Sequence, residues 1–299
     1  METVVITGAS RGLGLASAVH LYKSGWRVVA AMRSVDAGLE GLRAATGASP
    51  DDPRLCGVKL DLEDAASVAA AAGAIVEICG APDVLVHNAG VAAAGTFEDT
   101  PDNAWTKIFA TNVFGPIALT KALLPSMRAA GHGRIVIISS MGAVRGMPAI
   151  SAYSASKGAI ERWAESISGE IAGFGLGVSV IVTGTYKTDI LVQTADYRNY
   201  KGVYGAHYTG IDKIGDLVVR VASSPEQFAR ILLKAMVARA PYARFSAGID
   251  AFMLLVLSRL FPSWMLGRVV ALAMGLPGPG RLRALPKTAE QNANRSLTP

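Results

Sequence analysis

The stretch Thr3-Val-Val-Ile-Thr7-Gly-Ala-Ser-Arg-Gly-Leu-Gly14 decides how the rest of the chain is read. It begins with five residues of β-branched or apolar character. A glycine-rich turn follows, and then a helix-forming run from Leu13. Glycines permit a tight turn and close approach of a phosphate, and a helix N-terminus attracts an anion. Strand, turn and helix in this order make a phosphate cradle, and Gly8, Ser10, Arg11, Gly12, Leu13 and Gly14 are its candidate residues.

The pattern repeats beyond this unit. Apolar runs at 27–31, 55–60, 84–87, 134–139 and 177–182 read as further buried strands. Segments 13–24, 39–45, 65–78, 104–129 and 153–172 read as helices between them. Such alternation implies an α/β fold with a doubly wound, Rossmann-like parallel sheet. Strands that are apolar throughout suit a sheet covered on both faces.

In these sheets ligands lie at the carboxyl ends of the strands. The residues found there carry chemistry. Arg33 follows the second strand, where an acid would hold a ribose 2′-hydroxyl; no acid is present. With Arg11 it offers two guanidiniums suited to a 2′-phosphate, which favours NADP over NAD. Asp61 follows the third strand, beside Leu62, and can accept a bond from an adenine amino group, cap the next helix, or do both. Asn88 ends the fourth strand, where it can tie strand ends together, and Ala89-Gly90 leaves room for a ribose. Thr185 and Thr188 follow the sixth.

Ser140 follows the fifth strand, thirteen residues before Tyr153. Tyr153 and Lys157 share a helix face at i and i+4. A neighbouring ammonium lowers a phenol's pKa, and a tuned phenol can exchange a proton with a carbonyl or alcohol oxygen. The Ser140 hydroxyl can hold that oxygen. Asn112 sits within a helical run, where Asn is unfavourable, so it either caps locally or serves a site. Its amide can bind a water that connects Lys157 to solvent.

Together these residues resemble the short-chain dehydrogenase/reductase family over about residues 3–240. The resemblance rests on Thr7–Gly14, Asp61, Asn88-Ala89-Gly90, Asn112, Ser140 and the Tyr153/Lys157 pair. It implies a catalytic tetrad of Asn112, Ser140, Tyr153 and Lys157. Tyr153 is then the acid/base, and Lys157 lowers its pKa and binds the nicotinamide ribose. The strand end Met32-Arg33 and the long C-terminus resemble the hydroxysteroid- and retinol-dehydrogenase-like branch. The implied reaction interconverts a carbonyl and an alcohol on an apolar steroid-, retinoid- or lipid-like molecule. A non-catalytic dinucleotide sensor or scaffold and a 3-oxoacyl-thioester reductase are the competing readings. One departure is visible: Thr183 stands where the family usually has proline before Gly184, which predicts a looser turn.

Composition narrows the rest. Charged residues are only 17% of the chain and net charge is +6, yet the basic residues are dispersed, which disfavours nucleic acid. Cys56 and Cys79 show no paired spacing, and no histidine has metal-ligand spacing, so neither a disulfide framework nor a metal site is expected. No signal peptide is read at the N-terminus, and the unpaired cysteines make a reducing cytoplasm the expected location. Residues 189–224, with Tyr197, Tyr200, Tyr204 and Tyr208, read as an excursion over the active site in which His207 is a substrate-contact candidate. A helix is expected from Pro225 to about Arg239.

Residues 1–250 read as one dinucleotide-binding and catalytic domain, 251–276 as an apolar helical extension, and 277–299 as a mobile tail. Arg259, Pro262 and Arg268 interrupt the extension, which excludes a plain membrane-spanning helix. An interfacial helix on anionic lipid, a helical lid and a patch between subunits all fit it. A homo-oligomer is expected from the family resemblance.

Overall fold

A computed structural model describes residues 1–187, 194–220 and 222–276, with the side chains of 216–220 excepted. The N-terminal half alternates β1 (Thr3–Thr7), α1 (Gly12–Lys23), β2 (Arg27–Met32), α2 (Val35–Thr46), β3 (Leu55–Lys59), α3 (Ala65–Cys79) and β4 (Val84–His87). Then come α4 (Asp102–Phe109), a π-helical turn (Ala110–Phe114), α5 (Gly115–Ala130) and β5 (Gly133–Ser140). The short α6 (Met141–Val144), α7 (Ser151–Ile171) and β6 (Leu176–Thr183) complete the expected pattern. After it lie α8 (Gly205–Arg220), α9 (Pro225–Met236), β7 (Tyr242–Ala247), α10 (Ile249–Leu260) and α11 (Ser263–Ala273).

These seven strands pair in parallel in one sheet in the order β3-β2-β1-β4-β5-β6-β7, and a separate two-residue pairing joins Ala93–Ala94 to Ala195–Asp196. The order reverses beside β1, so a crevice opens between the ends of β1 and β4. The strand period of two divides the core. Val4 and Ile6 face α1 and α9 on one side, while Val5 faces α3 and α5 on the other. All five β1 residues are buried, as a central strand covered on both faces requires.

The expected α/β doubly wound sheet with an apolar helical extension is therefore present, with one strand more than the sequence reading. β7 was missed because it sits at the sheet edge, pairs only with β6, and carries Arg244 among half-buried residues. It lacks the unbroken apolar run that marked the others. The 104–129 helix is interrupted by the π turn that holds Asn112. The whole run Asp102–Ala130 is long and apolar enough to cross a membrane, but half of that apolar window is buried in the fold. α9 ends at Met236, short of Arg239. The 277–299 segment lies outside the described residues.

Candidate active site

One cleft of about 890 Å³ runs along the carboxyl ends of the strands. At its base Gly8 adopts φ +69°, a conformation that favours glycine, and a Cβ there would lie 2.9 Å from the Ala89 Cα. A Cβ on Gly14 would lie 2.2 Å from the Gly8 carbonyl oxygen. Only bare backbone fits, so α1 can begin directly under the cleft. Asn88 locks the two strand ends together: its Nδ2 donates to the carbonyls of Thr7 (2.9 Å) and Gly8 (3.1 Å). The amides of Asn88 and Ala89 both donate to the Thr7 hydroxyl.

Ser10, Arg11, Gly12 and Leu13 line one end of this cleft, with Arg33. Arg11 and Arg33 are exposed, and neither makes an ion pair among the described residues. Asp61, Leu62, Ala89 and Gly90 also line it. The cap of α3 is Asp64, whose Oδ1 accepts from the Ala66 amide at 2.9 Å. Asp61 instead accepts from the Glu63 amide at 3.0 Å, so the capping alternative for Asp61 is replaced by a cleft-side turn. The shape and charge of this cradle fit a dinucleotide.

Ser140, Tyr153 and Lys157 line the other end. Ser140 caps α6, accepting from the Gly142 amide at 3.2 Å. Burial pushes the Tyr153 phenol above its ordinary pKa, and hydrogen bonding with Ser140 pulls it back. The sequence reading expected Lys157 to lower it; here burial of the phenol wins. Lys157 is itself buried and donates to the Ile138 carbonyl at 2.8 Å. Burial lowers its pKa to about 8, against an opposing pull from Glu161 one turn on.

Asn112 lies behind the cleft, 2% exposed. Its Oδ1 accepts from the Val91 amide at 2.9 Å. Its Nδ2 donates to the Val91 carbonyl (2.9 Å) and the Ser156 hydroxyl (3.0 Å). Both amide hydrogens are engaged, leaving the second lone pair of Oδ1 for any water. Asn112 thus braces the loop after β4 against α7. The unfavourable mid-helix Asn coincides with a π turn, a deviation frequent at functional sites.

Three further expectations need correction. The turn after β6 is not loose. The Thr183 hydroxyl donates to the Ser139 carbonyl at 2.7 Å, and the Gly184 amide to Ala247 at 2.7 Å. Asp250, a residue the sequence reading did not single out, accepts from the Thr185 amide at 2.7 Å. A Cβ on Gly184 would lie 1.8 Å from the Asp250 carboxylate, so the turn and this side chain fit only because residue 184 is glycine. Thr185 lines the cleft; Thr188 lies outside the described residues. The signal for Asp250 was its place as the last acid before a long acid-free stretch.

Second, the tyrosines of the excursion do not line the cleft. Tyr208 is fully buried and bonded to Thr96 and Asp99, Tyr204 donates to Glu98, and Tyr200 donates to Asp212. They anchor the excursion, while Thr194, Asp196 and Arg198 reach the cleft. Third, His207 packs on the Tyr204 ring and is not part of the cleft lining. Val91, Met141, Met147, Ile150 and Tyr186 are among the apolar residues of the cleft lining.

Residues 2–199 match the sequence profile of the short chain dehydrogenase family. The chain belongs to that family of oxidoreductases. It is 38% identical over 205 residues to Dehydrogenase/reductase SDR family member 7B of Xenopus tropicalis, covering 66% of this chain and 65% of that protein. It is also 38% identical over 189 residues to the uncharacterized oxidoreductase YusZ of Bacillus subtilis, covering 63% of this chain and 66% of the relative. The match spans a little less than two thirds of the length of the Xenopus tropicalis, mouse and bovine relatives. Among solved structures, a short-chain dehydrogenase from Streptomyces avermitilis superposes with TM-score 0.74 at 29% identity, over 99% of this chain and 98% of that one. A metagenomic short-chain oxidoreductase in complex with NADP superposes with TM-score 0.64 at 26% identity, over 83% of this chain and 98% of that one. Members of this family bind a nicotinamide dinucleotide and act on small molecules.

Proposed function

We propose that this family member is an NADP(H)-dependent oxidoreductase that interconverts a carbonyl and a primary or secondary alcohol on an apolar molecule. The observation that carries the reading is the convergence of Ser140, Tyr153 and Lys157 on the same cleft as the Gly8/Gly14 cradle. Arg11 and Arg33, exposed and unpaired by any carboxylate among the described residues, support a 2′-phosphate and hence NADP. The apolar lining supports a steroid-, retinoid- or lipid-like substrate.

The dinucleotide, when bound, supplies or accepts the hydride. Gly8–Gly14, Arg11, Arg33, Asp61, Asn88, Ala89 and Gly90 hold it. In reduction the raised phenol of Tyr153 stays protonated near neutral pH and gives its proton to the substrate oxygen. The Ser140 hydroxyl orients that oxygen. Lys157, fixed to Ile138, keeps donors for the ribose and is the proton source behind the phenol. Asn112 holds the Val91 loop and α7 in register.

Oligomerisation is common in the family, and a homo-oligomer is part of this proposal. The ladder Phe97, Trp105, Phe109 and Phe114, with Phe97 and Phe114 largely exposed, supports it. The decisive experiment follows NADPH oxidation with ketones, retinoids and steroids in the wild type and in Tyr153→Phe. Undiminished turnover in the variant overturns the mechanism. Tight NADPH binding with no turnover of any carbonyl by the wild type favours the scaffold reading.

A further inference from the structure

α10 and α11 form a helical hairpin whose inner face is fastened to the rim of the fold. Ala251 and Leu266 are buried, and Arg145 Nη2 donates to the Ser263 carbonyl at 2.6 Å. The end of α11 meets α8 backbone to backbone: a Cβ on Gly210 would lie 2.3 Å from the Gly275 carbonyl oxygen. Among the described residues the outer face has no such partner. Phe252 (51%), Leu260 (69%), Phe261 (42%), Trp264 (65%), Val269 (50%) and Leu272 (71%) stand exposed along it and at the tip between the helices. Six exposed large apolar side chains on one helical hairpin are a surface a monomer rarely leaves without a use.

Charge selects among the partners that would cover it. Arg259 and Arg268 are exposed on the hairpin, and residues 251–276 hold no carboxylate. The Arg268 guanidinium lies 5.7 Å over the Trp264 ring. A symmetric contact with a second copy places the same patch on both sides. It would bring these arginines together with no acid of the patch to pair them, and like charges oppose such an interface. An anionic bilayer presents the opposite sign and also accepts the apolar tip. Trp beside Arg is the pairing that suits the headgroup level. Each helix is too short to span: at 1.5 Å per residue, twelve residues reach about 18 Å, against a hydrocarbon core of about 30 Å.

We propose that the α10–α11 hairpin is a docking surface for anionic lipid, lying in the bilayer interface with Phe261 and Trp264 at its tip. This surface does not rest on the enzymatic reading. If that reading also holds, the hairpin sets the cleft beside the lipid. Asp250, the second residue of α10, holds the cleft-lining Thr185, and Met141 of α6 lines the cleft beneath α10.

The test is flotation of the full chain with vesicles of phosphatidylcholine alone and of phosphatidylcholine mixed with phosphatidylglycerol. The expected result is flotation with the anionic vesicles, weakened by salt and by Arg259→Glu/Arg268→Glu. Loss of flotation is expected in Leu260→Ser/Phe261→Ser/Trp264→Ser, with the thermal transition and the oligomeric state by light scattering unchanged. The charge-reversal pair lies wholly on the surface and keeps the test valid should the triple variant misfold. No flotation of the wild type with either vesicle overturns the proposal. Equal flotation with both overturns the anionic assignment. Dissociation of a wild-type oligomer by the triple variant, without wild-type flotation, assigns the face to a second copy instead.

Discussion

The carboxylate of Asp250 accepts a hydrogen bond from the backbone amide of Thr185 at 2.7 Å. Its other oxygen accepts from the Ala251 amide at 2.9 Å, so one side chain joins the start of α10 to the turn after β6. That turn forms part of the cleft wall, and the Thr183 hydroxyl braces it from the β5 side. Where the family usually has a proline to stiffen this turn, the present chain uses two side-chain hydrogen bonds.

Asp250→Ala should therefore weaken both the turn and the helix start. The expected loss of stability is about 1–3 kcal/mol, because two amides lose their acceptor. Chemical denaturation reads it. A lowered turnover with NADPH at saturating substrate is expected alongside. A variant with wild-type stability and turnover would show that the brace is idle.

Tyr153→Phe removes the proton donor and leaves the ring in place. Turnover should fall by about 10²–10⁴-fold. NADPH binding, followed by fluorescence titration, should change little, because the Gly8–Gly14 cradle and Arg33 are untouched.

Arg33→Asp should reverse the preference between dinucleotides. Losing a charge-assisted hydrogen bond to a phosphate costs about 1.5–3 kcal/mol, roughly a 10- to 100-fold weaker affinity for NADPH. NADH affinity should hold or improve, since an acid at this place can accept from a ribose hydroxyl. Parallel titrations with both dinucleotides check this.

The pH dependence of reduction follows from Lys157. Its folded pKa is lowered to about 8, so it is protonated below that pH and neutral above it. Reduction that relies on the ammonium should fall as pH rises through about 8. Glu161 acts on Lys157; burial holds His87 neutral with a pKa of about 3, and Lys157 in turn adds to that lowering. Only Glu161 raises the Lys157 pKa, so Glu161→Gln should move the falling limb to lower pH. Because Glu161 is buried and paired with Arg244 at 2.7 Å, the variant should also lose stability. A pH–rate profile on the surviving folded protein separates the two effects.

Much of the site was legible because its parts follow strands. Each of Gly8, Arg33, Asp61, Asn88, Ser140 and Thr185 comes just after an apolar run, and a parallel sheet brings such positions to one edge. Asn112 was legible as a misfit, a poor helix former inside a helix, and the π turn explains how it is accommodated. The role of Asp250 was not legible. Its partner is 65 residues away, and nothing in either local sequence requires the other. The tyrosines of the excursion misled for a similar reason. Aromatic side chains beside a site fit a substrate wall and a packing anchor equally well until their partners are known.

By itself the sequence determined the strand–helix alternation and the glycine-rich turn after β1, and it nominated Ser140, Tyr153 and Lys157 for the proposed proton handling. These rest on local periodicity, on backbone room at glycine, and on spacing within one helix. Only the tertiary structure decided the seventh strand, the direction of the Tyr153 shift, the bracing of the Thr183–Thr185 turn and the outward face of the α10–α11 hairpin. Each depends on burial or on contacts between residues far apart in the chain. Tyr153 and Lys157 show the division most clearly: they are adjacent by helical spacing, yet burial, which no spacing encodes, raises the phenol's pKa and lowers that of the ammonium.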